Sequence, residues 1–249
     1  MKFSANLGFL WADRPLPDAI YAAHAAGFDA VELHWPYDTP AEDVKAALDA
    51  TGLPILGLNT RRGDVAGGEN GLAALPGRQD EARAAIDEAI GYADVVGAGA
   101  IHVMSGFGSG DEAHQTFIEN LRYACASTQK TSLIEPLNRH DAPGYFLSTT
   151  DQARAIIAEV GAANLKLMFD CYHVGRNEGD VTTRFKDLRD LIGHIQFASV
   201  PDRGAPDHGE LDYAHIFAAL AVWSGPLGAE YKPGGDTDAT LGWLAKFRG

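Results

Sequence analysis

The sequence has few cysteines and no long apolar run. Its 249 residues include two cysteines, Cys125 and Cys171, and neither has zinc-finger or CxxC spacing. No apolar run reaches the 18 residues that a membrane-spanning helix needs. The N-terminus lacks a convincing signal-peptide core. These absences predict a cytoplasmic protein with reduced thiols and no membrane partner.

Positive charge is also scarce, since 20 Lys and Arg stand against 34 Asp and Glu, which gives a net charge of −14 at pH 7. This balance argues against a nucleic-acid backbone as partner. It does not exclude an anionic small substrate, because a bound cation and local basic groups can reverse the field inside a pocket. We therefore expect a small-molecule ligand. The sequence identifies no interface, and it leaves a homo-oligomer open.

Short β-like runs alternate with longer amphipathic segments along the chain. The predicted strands cover residues 2–7, 28–33, 54–58, 100–104, 131–135, 165–170, 193–197 and 226–230. The predicted helices cover about 15–26, 40–50, 79–97, 111–127, 149–160, 180–190, 212–223 and 237–247. Eight such pairs predict a parallel sheet, and eight strands close a (β/α)8 TIM barrel. We expect one such α/β domain over residues 1–249, with an open doubly wound sheet as the alternative.

Four oxygen-donor side chains each end or follow a predicted strand in the second half of the chain. They are Glu135, Asp170, Gln196 and Glu230. The carboxyl ends of barrel strands meet on one face, where the active sites of these barrels lie. Three carboxylates and an amide make an oxygen cage suited to Mg2+ or Mn2+. The alternative is that each acid caps a helix or is solvated.

One insert is unusually long. It covers residues 59–78, follows the third predicted strand, and therefore falls on the same face of the barrel. Five glycines in this segment would let it fold over a site as a lid.

Phrases spread over almost the whole chain resemble the hydroxypyruvate isomerase family of the xylose-isomerase-like TIM barrel superfamily. They are FDAVELHWPYD (28–38), NTRRGDVAGGENGLAALPGR (59–78), IHVMSG (101–106), LIEPLN (133–138), FDCYH (169–173), HIQFASVPDR (194–203), HGELDY (208–213) and AEYKP (229–233). No single phrase is specific, but together they are. That family includes relatives that isomerise 2-oxo-tetronate.

The resemblance implies that Glu135, Asp170, Gln196 and Glu230 bind one divalent metal ion. It also implies that Glu135 and Glu230 form the catalytic acid–base pair. Sugar epimerases of the superfamily usually have His where this chain has Gln196, so the glutamine favours the isomerase branch.

Three further residues are candidates for substrate binding. By resemblance, His173 would hydrogen-bond a substrate oxygen, and a histidine that caps or packs under the loop is the alternative. The guanidinium of Arg203 suits a carboxylate, although a solvated loop arginine is also consistent with the sequence. His102 lies inside the fourth predicted strand, where a core histidine is the more common role.

The function that the resemblance implies is the interconversion of hydroxypyruvate and tartronate semialdehyde, by proton transfer through an enediolate. A hydride shift is the alternative mechanism. A 2-oxo-tetronate isomerase or a ketose 3-epimerase is the alternative enzyme, and a catalytically dead barrel that binds a sugar acid is the alternative outside enzymes. Arg61, Arg62 and Arg176 depart from the family pattern and leave substrate choice open.

Overall fold

The computed structural model describes residues 1–248, and eight short strands form its centre. They are β1 (Phe3–Asn6), β2 (Ala30–Glu32), β3 (Gly57–Asn59), β4 (Ala100–His102), β5 (Thr131–Ile134), β6 (Leu165–Asp170), β7 (Ile192–Phe197) and β8 (Leu227–Ala229). Most of their residues are buried. Side chains on both faces of these strands are therefore covered, as expected for a parallel sheet with helices outside it.

The strands form one parallel sheet in the order β2-β1-β8-β7-β6-β5-β4-β3. Its two end strands meet, because Val31 pairs with Ile55 and the Leu33 N–H donates to the Gly57 carbonyl at 3.0 Å. The sheet is therefore a nearly closed barrel, and the predicted (β/α)8 fold is confirmed.

Helices lie between the strands. They are α1 (Leu16–Ala25), α2 (Ala41–Thr51), α3 (Gln79–Val96), α4 (Gly110–Ser127), α5 (Thr150–Val160), α6 (Cys171–Asn177), α7 (Val181–Leu188), α8 (Tyr213–Leu220) and α9 (Gly242–Arg248). Several end at a glycine that adopts the left-handed conformation, as at Gly97 and Gly161. Within residues 1–248, none of these helices is long and apolar enough to cross a membrane.

Aromatic side chains fill the space between the barrel and its C-terminal helices. Phe3 of β1 packs edge-on against Phe197 of β7, Phe217 of α8 and Trp243 of α9, with ring centroids 5.1 to 5.8 Å apart. Such edge-to-face pairs are favourable beyond the area they bury. They hold β1 and β7 against the outer helices α8 and α9.

The structure differs from the sequence prediction at the third strand. We predicted residues 54–58, but β3 covers Gly57–Asn59. The chain at 54–56 instead pairs with β2, since the Val31 N–H donates to the Pro54 carbonyl and the Leu56 N–H to the Val31 carbonyl. The strand begins only where Gly57 comes into register with Ala100 of β4.

Candidate metal centre and active site

The carboxyl ends of β5, β6 and β8 bring together the acidic residues that the sequence singled out. Ligand atoms of Glu135, Asp170, His173 and Glu230 lie within 4.8 Å of one another, and all four residues are buried. Gln196 of β7 is in register with Asp170 of β6 and is 2 % exposed. The four predicted oxygen donors therefore occupy neighbouring strand ends on one face.

The two oxygens of Asp170 have different surroundings. Asp170 ends β6 and caps α6, and its Oδ1 atom accepts a hydrogen bond from the Tyr172 N–H at 2.7 Å. Its Oδ2 atom is buried without a hydrogen-bond partner in the described chain. One oxygen thus holds the helix while the other faces the cluster, so the predicted capping role and the predicted ligand role are compatible.

The Gln196 amide is oriented by a carboxylate on its far side. Its Nε2 atom donates to Glu32 Oε2 at 2.7 Å. Its Oε1 atom is buried and finds no hydrogen-bond partner in residues 1–248. The amide oxygen therefore has a free lone pair.

Glu230 is surrounded by hydrogen-bond donors. Its Oε2 atom accepts from the Arg203 guanidinium, and its Oε1 atom accepts from Asn6 Nδ2 at 3.2 Å and lies 2.9 Å from His34 Nε2. Burial raises the pKa of Glu230, but the charge of Arg203 and the bond to His34 outweigh burial and bring this pKa below its usual value. Glu230 is therefore an ionised and firmly oriented carboxylate.

Glu135 lacks such donors. Its nearest basic partners are His102 Nδ1 and His173 Nε2, both 3.8 Å away. Its Oε1 atom is buried with no hydrogen-bond partner among the described residues. Burial, followed by repulsion from Glu230 and Asp170, holds the pKa of Glu135 well above its usual range. The two predicted catalytic acids thus differ in proton affinity.

His173 lies on α6 and points its Nε2 atom into the cluster. Its Nδ1 atom accepts a hydrogen bond from the Asn138 N–H at 3.0 Å, so the ring hydrogen must be on Nε2. Burial, with the charge of Arg203, lowers the pKa of His173 to about 3, which leaves the ring neutral. Nε2 is therefore a donor, and His173 is suited to bind an oxygen of a ligand rather than a metal ion.

Arg203 is partly buried between two aromatic rings, with its guanidinium carbon 4.8 Å from the centre of Phe9 and 5.1 Å from that of Tyr172. It binds Glu230 and lies 3.8 Å from Asp170 Oδ2. Its Nε atom is buried with no hydrogen-bond partner in the described part of the chain. Arg203 thus compensates the carboxylates and still offers a donor to an anion.

His102 lies beside Glu135 at the end of β4. Its Nδ1 atom is 3.2 Å from Asn59 Oδ1, and its Nε2 atom has no partner within residues 1–248. Burial lowers the pKa of His102 to about 4, so the ring is neutral at pH 7. It also lines a cavity of about 240 Å³ inside the barrel, together with Gln196 and Glu32. A substrate contact for His102 stays a prediction.

The residues present fit a divalent cation. Glu135 Oε1, Asp170 Oδ2 and Gln196 Oε1 are buried acceptors without partners in the described residues. A buried polar atom without a partner costs free energy, and several on adjacent strand ends are rare without a ligand. Carboxylate and amide oxygens are the ligands that Mg2+ and Mn2+ prefer.

The residues that support this cluster were not among the site residues predicted from the sequence. Asn6, Glu32 and His34 contact Glu230 or Gln196, and His194 lies 3.0 Å from Glu32 Oε1. Two of them, Asn6 and Glu32, also end strands, so the strand-end position that selected the four oxygen donors could have indicated these two residues as well. Their partners are up to 224 positions away, so the contacts themselves were not readable.

The segment 59–78 is tied to the barrel along its second half. Gly71 pairs with Ser105, and the N–H groups of Ala73 and Ala74 donate to the carbonyls of Met104 and Ser105. Residues 63–68 are exposed. Opening and closing of this segment stays a prediction, but its anchored half is fixed to the chain that follows β4.

Comparisons with known proteins agree with the barrel fold. A family model described as "Xylose isomerase-like TIM barrel" matches residues 20–247. The 2-oxo-tetronate isomerase of Cupriavidus necator is 46% identical, and the alignment covers 100% of this chain and 99% of that protein. The hydroxypyruvate isomerase of Escherichia coli is 38% identical over 100% of both chains. A Brucella melitensis structure described as "AP endonuclease, family 2" has a TM-score of 0.94 at 37% identity, covering 98% of each chain.

Proposed function

The chain belongs to the xylose isomerase-like TIM barrel family and is an isomerase, and we propose that its reaction is the metal-dependent isomerisation of short 2-oxo-3-hydroxy acids. It would interconvert such an acid with its 3-oxo-2-hydroxy partner, as in the conversion of hydroxypyruvate to tartronate semialdehyde. The observation that carries this proposal is the buried cluster of three partnerless oxygens beside an ionised Glu230.

The proposed metal ligands are Glu135, Asp170, Gln196 and Glu230, and the proposed ion is Mg2+ or Mn2+. When bound, such an ion supplies a Lewis acid that stabilises negative charge developing on the oxygens of the substrate.

Proton transfer is assigned to the glutamates of the site. A carboxylate removes the carbon-bound proton beside the carbonyl, a carboxyl group returns a proton to the neighbouring carbon of the enediolate, and the hydroxyl proton passes from one substrate oxygen to the other. The Oε1 atom of Glu135 has no hydrogen-bond partner among the described residues, whereas both oxygens of Glu230 accept hydrogen bonds. Glu135 is therefore the better-placed base and, once protonated, can return the proton, whereas the ionised Glu230 is held by its donors in a fixed orientation.

Two further side chains would bind the substrate. His173 donates from Nε2, which suits a carbonyl or hydroxyl oxygen, and Asn138 fixes this tautomer. Arg203 offers its Nε–H to the substrate carboxylate. His173 lies on α6 and Arg203 in the chain after β7, and both lie beside the carboxylates of the cluster.

The length of the substrate is a separate question. The 46% identical relative is named a 2-oxo-tetronate isomerase, which favours the four-carbon acid as a second candidate beside hydroxypyruvate. The two acids share the reacting carbons and the adjacent carboxylate, so the cluster accommodates both.

The first experiment measures turnover of hydroxypyruvate by protein stripped with chelator and refilled with Mg2+ or Mn2+. We expect no turnover without metal and restored isomerisation with it. Competition with 2-oxo-tetronate then ranks the two acids. A well-folded protein that stays inactive with both metals and both acids, or one that epimerises neutral ketoses faster, would contradict the proposal.

We expect Arg62 to attract the anionic substrate. The three carboxylates of the inner site carry a charge of −3, and Arg203 together with a divalent cation would carry +3. The net charge of the site would therefore be zero before an anionic substrate enters. The guanidinium carbon of Arg62 lies 3.8 Å from the centre of the Trp35 ring. Trp35 packs against His34, which contacts Glu230, and Arg62 forms no ion pair within residues 1–248. Its neighbour Arg61 is instead held by Glu88.

This difference makes Arg61 a matched control for Arg62. We expect Arg62→Ala to raise the KM for hydroxypyruvate about tenfold with kcat little changed, as for loss of one charged hydrogen bond. Arg61→Ala should leave KM within about twofold. Equal effects of the two substitutions would show that Arg62 has no specific role.

A further inference from the structure

We propose that Glu32 is a positioning residue for the metal centre, because its carboxylate decides which end of the Gln196 amide faces the cluster. This inference rests on the metal site proposed above. Glu32 itself ends β2, on the opposite side of β1 and β8 from Gln196.

The two ends of a glutamine amide differ in what they can bind. Oxygen and nitrogen occupy nearly the same space in the Gln196 side chain, but only the oxygen has a lone pair for a cation. The Nε2 atom donates to Glu32 Oε2 at 2.7 Å, and a carboxylate accepts but does not donate. The oxygen must therefore point away from Glu32, where it lies buried and without a partner in the described structure.

Glu32 is itself held from two sides. The Ser4 hydroxyl of β1 donates to its Oε1 atom, and His194 Nε2 lies 3.0 Å from the same oxygen. His194 precedes Gln196 by two residues in β7, so both side chains point into the barrel. The carboxylate thus has one oxygen held by the Ser4 hydroxyl with His194 beside it, and the other is left for the amide.

A glycine opens the route between β2 and β7. Ser4, Gly228 and Gln196 are neighbours in one row across β1, β8 and β7. A Cβ atom on Gly228 would lie 2.2 Å from Glu32 Oε1 and 2.9 Å from Gln196 Cγ. Only a residue without a side chain lets the carboxylate reach the amide here, which gives a second way to disturb the same contact.

The experiment is a double-mutant cycle on Mn2+ affinity, measured by calorimetry with metal-free protein. Gln at position 32 keeps the size of Glu32 but can donate as well as accept, so it no longer fixes the amide. We expect Glu32→Gln to weaken Mn2+ binding about 10- to 100-fold. We also expect Gln196→Ala to weaken it, and the double variant to bind no more weakly than Gln196→Ala alone, since the orientation is lost only once.

Glu178→Gln is the matched control, because Glu178 is a largely covered carboxylate, with its side chain 8% exposed, that pairs with Arg184 and Thr150 and with no residue of the cluster among those described. It should leave Mn2+ affinity unchanged. Thermal unfolding of each metal-free variant checks that it is folded. If Glu32→Gln does not fold, Gly228→Ala takes its place in the same cycle.

The outcomes distinguish a failure of the positioning role from a failure of the proposed metal site. Wild-type protein that binds no Mn2+ overturns the proposed metal site. Wild-type protein that binds Mn2+, together with a Glu32→Gln variant of equal affinity, overturns the positioning role alone. A loss that adds fully to that of Gln196→Ala also overturns it, because Glu32 would then act by some other route.

Discussion

Glu135 and Glu230 are the same residue type in opposite surroundings. Arg203 and His34 bring the pKa of Glu230 down, and Asn6 also donates to this carboxylate, whereas burial and repulsion from other carboxylates raise the pKa of Glu135. Of two carboxylates, the one with the higher proton affinity is the stronger base, which fits Glu135 as the group that takes the carbon-bound proton. The difference between the two pKa values comes from the residues that contact each glutamate, and these residues are distant from it in sequence.

We expect Glu135→Gln to lose turnover while it still binds substrate. Gln keeps an oxygen donor but cannot accept the carbon-bound proton, so kcat should fall about 100-fold or more. The measurement is kcat at saturating Mn2+, with substrate affinity from calorimetry. Glu159→Gln, at an exposed acid paired with His114, is the control and should match wild type. Full activity of Glu135→Gln would exclude Glu135 as the base.

For single residues, the sequence predicted which strand ends carry the site residues but not which groups their side chains contact. Strict alternation of strands and helices is enough to bring Glu135, Asp170 and Glu230 to one face, because strand ends meet there. It says nothing about which way a side chain turns. The tautomer of His173 depends on the Asn138 N–H, 35 positions away, and the direction of the Gln196 amide depends on Glu32.

Among the elements, α6 and β3 show two ways in which the sequence pattern fails to predict the bounds of an element. Helix α6 is seven residues long, too short for a hydrophobic period, and begins because Asp170 caps it. Strand β3 is displaced from its predicted range because its first residues pair with β2 instead. Longer helices such as α3 and α4 carry several turns of pattern, and both were predicted to within a residue at each end.

The anchored half of the segment 59–78 allows a prediction at the scale of an element. Gly71 has a φ of +120°, and a Cβ there would lie 2.7 Å from the Met104 carbonyl oxygen. Gly71→Ala should therefore cost about 2 kcal/mol or more in the free energy of unfolding. It should also raise KM, because the Gly71 N–H donates to the carbonyl of Arg62.

Gly68 in the same segment is the matched control, since it has a φ of +90° but a Cβ atom added there would meet nothing within 4 Å. Gly68→Ala should cost about 1 kcal/mol from its backbone alone, with KM unchanged. Chemical denaturation and limited proteolysis of the loop measure both variants. A Gly71→Ala protein that is as stable as Gly68→Ala would mean that the pairing with Ser105 does not anchor the segment.

At the scale of the whole molecule, the barrel concentrates acidic groups at its centre. The chain has a net charge of −14, and Glu135, Asp170 and Glu230 lie together in its interior. Burial and the charge of Glu230 raise the pKa of Asp170 to about 7. Folding therefore brings together groups that repel one another, and Arg203 alone does not satisfy all their oxygens.

A cation that binds only the folded barrel should therefore stabilise it. At a free Mn2+ concentration 100 times the Kd, the gain is about 2.7 kcal/mol. In a protein of this size each kcal/mol moves the Tm by about 2–4 °C, so we expect a rise of roughly 5–11 °C. Thermal unfolding with Mn2+ and with chelator measures this. Asp170→Asn should lose most of the response; a wild-type Tm indifferent to Mn2+ would show that these strand ends hold no metal.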